Sequence, residues 1–123
     1  MQMQGHCLCG AVRWKTEAEP MGASMCHCGQ CRRQSGGVWS SAYVASDALQ
    51  IDGPVAWFAS SETAERGFCP RCGSFLFWRT HDEETTSFSL GSVEGDTGLK
   101  LQKHIFTIDK GDYYEIAGDA PQS

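Results

Sequence analysis

The chain has 123 residues, 41% of them hydrophobic, seven cysteines and a formal net charge of −5. That suffices for one domain, residues 1–123, with a modest core. No apolar run approaches the length of a membrane span, and the acidity leaves no footprint for nucleic acid. The opening Met-Gln-Met-Gln-Gly has neither a basic n-region nor an apolar h-region. A secretory signal is therefore not expected, and a reducing cytoplasm is.

In chain order, Cys7 and Cys9 come first, and residues 11–17 read as a strand leaving them, with Val12 and Trp14 in part alternation. Residues i and i+2 of a strand share a face, so Cys7 and Cys9, and likewise Cys26 and Cys28, are expected to present their sulfurs together. Leu8 and His27 would then point the other way. A short helix is expected after Cys31 or near Leu99–Lys103. Residues 37–45 are rich in β-formers, and Gly53-Pro54 marks a turn between strands around Leu49-Ile51 and Val55-Phe58. Phe75–Trp78, Ser87–Leu90 and Tyr113–Ile116 complete the expected strands. Many short strands broken by Gly and Ser predict a mainly β, single-domain fold.

The cysteine spacings are C-x-C, C-x-C-x-x-C and C-x-x-C. Such spacings suit a shared soft metal ion, and they suit disulfides poorly because close neighbours rarely reach disulfide geometry without strain. Glycine follows Cys9, Cys28 and Cys72, where a positive φ would close a metal-binding turn with the amide facing a sulfur. Zinc takes four protein ligands in a structural site and three plus an open position in a reactive one. Seven thiols divide most simply into Cys7, Cys9, Cys69 and Cys72 around one ion and Cys26, Cys28 and Cys31 around a second. Spacing alone also permits Cys28 and Cys31 to join Cys7 and Cys9. His27 is the nearest candidate for a fourth ligand of the triad, but strand geometry turns it away. His6, His81 and His104 read as surface residues or as partners behind a ligand.

Thiolate ligands donate charge to zinc, so a bound water is acidified less than it would be under imidazoles. An all-thiolate open site suits capture of another thiol, whose pKa it lowers. Arg32 and Arg33 directly follow the triad; they read either as partners for a carboxylate of an anionic thiol such as glutathione or as charges that offset the thiolates or face solvent. The polar bend Gln34–Gly37 reads as a turn, and Trp39, Phe58, Phe68, Phe75, Phe77 and Trp78 as core.

Three segments together resemble the glutathione-dependent formaldehyde-activating enzyme family: Cys7-Leu8-Cys9-Gly10-Ala11-Val12, the run from Cys26 to Gly36, and Arg66-Gly67-Phe68-Cys69-Pro70-Arg71-Cys72-Gly73-Ser74. His104-Ile105-Phe106, Lys110 and the Tyr113-Tyr114 region resemble the family's C-terminal end, although many members carry a tryptophan there. The resemblance implies a β-tent fold and two zinc ions. It assigns structural zinc to Cys7, Cys9, Cys69 and Cys72, and catalytic zinc to Cys26, Cys28 and Cys31. It also implies carbon–sulfur lyase chemistry that joins formaldehyde to glutathione as S-hydroxymethylglutathione. The competing readings are a zinc-stabilised binding module without chemistry and a thiol redox or metal-storage protein. Cys69-Pro70-Arg71-Cys72 has the redox form but lacks the βαβ context.

Overall fold

The computed structural model describes residues 2–81 and 84–123. Among the described residues ten strands form two sheets. The smaller sheet is antiparallel, with strand β2 (Arg13–Thr16) between β1 (Met3–His6) and β5 (Leu49–Asp52). The larger runs in the order β10-β3-β4-β9-β8-β7-β6. It comprises β3 (Met21–Cys26), β4 (Trp39–Ala45), β6 (Ala56–Ala59), β7 (Ala64–Phe68), β8 (Phe75–Thr80), β9 (Thr85–Ser89) and β10 (Lys103–Ile105). All its neighbours are antiparallel except β10, which runs parallel to β3. An α-helix, α1 (Gly29–Ser35), follows β3.

Alternation decides which side chains meet. In β2, Trp14 and Thr16 are buried and Arg13 and Lys15 exposed. Trp14 packs on Phe88 at 4.4 Å between ring centroids and donates its indole N–H to Ser92 Oγ at 2.9 Å. Ala42, Phe88 and Phe77 lie side by side across β4, β9 and β8. With Met3, Val12, Val44, Leu49 and Leu76 they form a core shared by both sheets. The expected Gly53-Pro54 turn sits between β5 and β6. Gly53 has φ 107°, and a Cβ there would run into the Ala11 carbonyl, so no other residue fits the turn.

The expected mainly β architecture is present, and β4, β5, β6, β8 and β9 fall close to the segments the sequence marks. Two local expectations are corrected, and the alternative places for a helix are decided in favour of the one at Cys31. Tyr113–Ile116 forms no strand; the segment carries Tyr114 in to meet His27 instead. The helix forms at Gly29–Ser35, and Leu99–Lys103 is not helical. Cys7 and Cys9 lie in a turn after β1, while Cys26 ends β3 and Cys28 caps α1, so neither pair shares a strand. Short-range capping hydrogen bonds override the extended conformation there. No helix among the described residues is long and apolar enough to cross a membrane.

Candidate metal centres

The fold brings the seven sulfurs together in two groups. Cys7 and Cys9 come from the turn after β1, and Cys69 and Cys72 from the turn joining β7 to β8. The two turns are built alike. Gly10 (φ 81°) gives its amide to the Cys7 carbonyl at 3.1 Å, and Gly73 (φ 82°) gives its amide to the Cys69 carbonyl at 2.7 Å. The expected positive φ is thus present at both, but the glycine amides bond carbonyls rather than sulfurs. The Val12 amide faces Cys7 Sγ instead, at 3.3 Å. Gly29 differs: it begins α1.

The tetrad sulfurs all lie within 4.8 Å of one another, with Cys7–Cys9 and Cys9–Cys69 separations of 3.7 Å. A tetrahedral zinc site with zinc–sulfur bonds of about 2.3 Å places its sulfurs about 3.8 Å apart, whereas a disulfide needs about 2.05 Å. The tetrad therefore fits a four-thiolate metal and is not a disulfide cluster. The Ser74 side chain holds the Cys72 thiol down to about 5. Cys7 and Cys69 are buried and Cys9 is exposed. His6 accompanies this site, with Nδ1 at 2.7 Å from the Cys7 carbonyl and Nε2 at 3.6 Å from Glu94.

Cys26, Cys28 and Cys31 form the second group, their sulfurs also within 4.8 Å of one another. Cys28 is the N-cap of α1, and its sulfur accepts the Cys31 amide at 3.4 Å, which fixes two members of the triad in one helical turn. Among the described residues no fourth cysteine, histidine or carboxylate joins them. Hydrogen bonding from Cys26 holds the Cys31 thiol down to about 6, with Arg66 adding to the effect and burial opposing it. Cys26 is pushed up in return, first by that bond and then by burial. The donor set is soft, thiolate-ready and one ligand short of a closed zinc site, so the residues fit a zinc ion with an open position.

His27 lies between two triad cysteines in sequence yet gives neither nitrogen to them. Its Nδ1 meets Tyr114 Oη at 2.6 Å and its Nε2 meets His104 Nδ1 at 3.0 Å. Burial, and then the charges of His104 and Lys110, depress its pKa. His104 is buried too, behind the turn that carries Cys26 and Cys28. His81 is exposed. The sequence offers no local signal for the partnership of His27 with Tyr114, 87 residues away.

The triad opens into a cavity of about 740 Å³ on one face of the larger sheet. Cross-strand register builds that face. Cys26 pairs with Trp39, Ser24 with Ser41, and Tyr43, Ser87, Trp78 and Arg66 form a row from β4 to β7. Small residues leave the space that Trp39, Tyr43 and Trp78 flank. Gly22 is one of them, because a Cβ there would collide with the Tyr43 ring. Of the aromatics expected in the core, Phe77 and Trp39 are buried there, Phe75 and Trp78 pack partly buried against Trp39, Trp39 and Trp78 also line the cavity, and Phe58 is 60% exposed. Arg32 and Arg33 lie in α1 beside the triad but outside the cavity lining. The cations that do line it are Arg66, from β7, and Lys103, from β10. Arg66 is only 6% exposed, and its Nη1 donates to Cys31 Sγ at 3.5 Å and to Gln34 Oε1 at 3.3 Å. It reaches the triad only across the sheet, so the cysteine spacing does not announce it.

None of the tetrad cysteines lines the large cavity; Cys7 borders a smaller one of about 370 Å³.

The chain is similar to known proteins. A sequence model described as glutathione-dependent formaldehyde-activating enzyme matches residues 2–109. An uncharacterized lyase of Schizosaccharomyces pombe is 30% identical, with the match covering 94% of this chain and 86% of that protein. A Halomonas elongata protein, provisionally named a glutathione-dependent formaldehyde-activating enzyme, is also 30% identical, over 94% of this chain and 82% of its own. The crystal structure of a Rhodobacter sphaeroides protein superposes with a TM-score of 0.65, covering 98% of this chain and 100% of that one at 23% identity, which speaks to the fold alone. The two cysteine groups lie within the matched segment, and the chain belongs to the glutathione-dependent formaldehyde-activating enzyme family.

Proposed function

We propose that the protein is a zinc-dependent carbon–sulfur lyase that joins a glutathione-type thiol to a small aldehyde, forming or breaking S-hydroxymethylglutathione. The observation that carries this reading is the composition of the triad: three thiols, no fourth protein donor among the described residues, and a cavity directly over them. The tetrad is read as the structural zinc site and the triad as the catalytic one. Zinc bound by three thiolates supplies a Lewis-acidic position at which a thiol is deprotonated yet stays nucleophilic. The remaining work falls to the chain itself. The Cys28 cap and the first turn of α1 hold two of the three sulfurs in fixed relation. Trp39 and Trp78 flank the approach with apolar surface that limits water around the reacting sulfur. In the addition, the S–H bond breaks and its proton passes to solvent, the sulfur forms a bond to the carbonyl carbon, the carbonyl π pair moves to oxygen, and that oxygen takes a proton back from solvent, so no net proton is consumed; the reverse step undoes each change.

The 123 residues act as one domain, and the reducing cytoplasm is the setting in which seven unpaired thiols persist. Exchange kinetics between glutathione and formaldehyde, followed by NMR with and without the zinc-loaded protein, test the proposal. Faster exchange that saturates with glutathione is expected. No acceleration at saturating thiol would reduce the protein to a binding module.

A further inference from the structure

The burial of Arg66 is not accounted for by its neutral contacts. Its relative exposure is 6%, yet among the described residues no carboxylate lies within ion-pair distance of it. The adjacent Glu65 is taken by Arg79. Arg66 has the Gln34 amide oxygen, the Phe75 ring at 5.3 Å and Cys31 Sγ. Its Nε is buried with no acceptor at all. A cation–π contact and one amide offset only a fraction of the cost of taking a guanidinium out of water. Arginine does not escape that cost by losing its proton. A buried guanidinium of this kind needs an anion, and the groups beside it that can supply one are the triad sulfurs.

We propose that Arg66 is the counter-cation of the triad. The inference rests on reading the triad as a metal site. Three thiolates around a divalent ion leave one net negative charge, and an anionic guest in the open position adds another. That charge sits at the foot of a cavity with apolar flanks, where it needs a partner. Arg66 donates to Cys31, and its place in the cavity lining sets its positive charge beside the position an incoming anion would take. Among the described residues no lysine or arginine donates to a tetrad sulfur, and that site is open to water at Cys9, which is exposed. Arg66 is thus a positioning residue for the second metal and a selector for anionic guests at that position.

The test is zinc competition against a chelating dye, in wild type, Arg66→Met and Arg66→Lys. Wild type should bind two ions. In Arg66→Met the tighter ion should hold as in wild type while the weaker loses about tenfold to a hundredfold in affinity, the usual effect of removing a partner behind a metal ligand. Arg66→Lys keeps the charge and should recover most of the loss. Equal two-site affinity in wild type and Arg66→Met would overturn the proposal, and so would a lysine variant as weak as the methionine one. If Arg66→Met fails to fold, Arg66→Gln, polar but uncharged, is read by the same criteria. A wild type that takes up a single zinc ion would instead remove the metal reading of the triad, and this proposal with it.

Discussion

The two cysteine groups are made of the same side chain at similar spacings and end in different chemical positions. The tetrad joins two turns about sixty residues apart, with Cys9 and Cys69 sulfurs 3.7 Å from each other. The triad is local, drawn from the end of β3 and the first turn of α1. The tetrad closes a long loop with a full set of donors, while the triad leaves one position short and faces a cavity. The lesson is that donor count and surroundings, more than ligand type, separate a metal that would staple from one that would react.

Several changes would break or sharpen that contrast, and the largest should come from the tetrad. Cys69→Ser should abolish cooperative folding, because a structural zinc supplies about 10–16 kcal/mol of folding free energy and a domain of this size has only about 5–15 to lose. Thermal unfolding by circular dichroism reads this directly. Cys28→Ser should leave the unfolding transition largely in place, lower the zinc content from two ions to one and remove glutathione binding. If both variants unfold alike, the triad is structural as well. A mild chelator should strip the triad first, since it lacks a fourth protein donor; simultaneous loss of both ions would erase the distinction.

Smaller effects sharpen the picture. His27→Phe leaves Tyr114 Oη and His104 Nδ1 without their partner and should cost about 1–3 kcal/mol for the buried His104 nitrogen and less for the part-buried Tyr114 hydroxyl. Denaturant titration of the zinc-loaded protein measures it. The change should be smaller than that of Cys69→Ser and should leave the tetrad's metal in place. Arg33→Ala, at an exposed position outside the cavity lining, should change glutathione affinity by less than about twofold, as surface charges are worth little. A larger loss in isothermal titration would return Arg33 to the thiol site.

Much of this was legible in the residues. The three cysteine clusters predict shared metal sites because their spacing limits how far apart the sulfurs can lie. Gly10 and Gly73 mark the turns because positive φ is costly for other residues. The β-rich runs predict β4 and β8, since Trp39–Ala45 and Phe75–Thr80 are built from residues that suit a pleated surface. Period-two reasoning failed at Cys7-Leu8-Cys9 and Cys26-His27-Cys28 because both segments leave the strand there. Tyr113–Ile116 has β-forming residues but no neighbouring strand to pair with, and Tyr114 is used by a buried histidine.

Sequence by itself determined the number and type of soft donors, and with them the kind of ion the chain suits, since both follow from covalent spacing. Only the tertiary structure decided the surroundings: which cysteines share a centre, that the triad faces a cavity, and that Arg66 and His104 stand behind it. Those relations cross strands distant in the chain. Sheet register, the shared core and the burial of unlike groups fix them together, and no local window of residues contains that information.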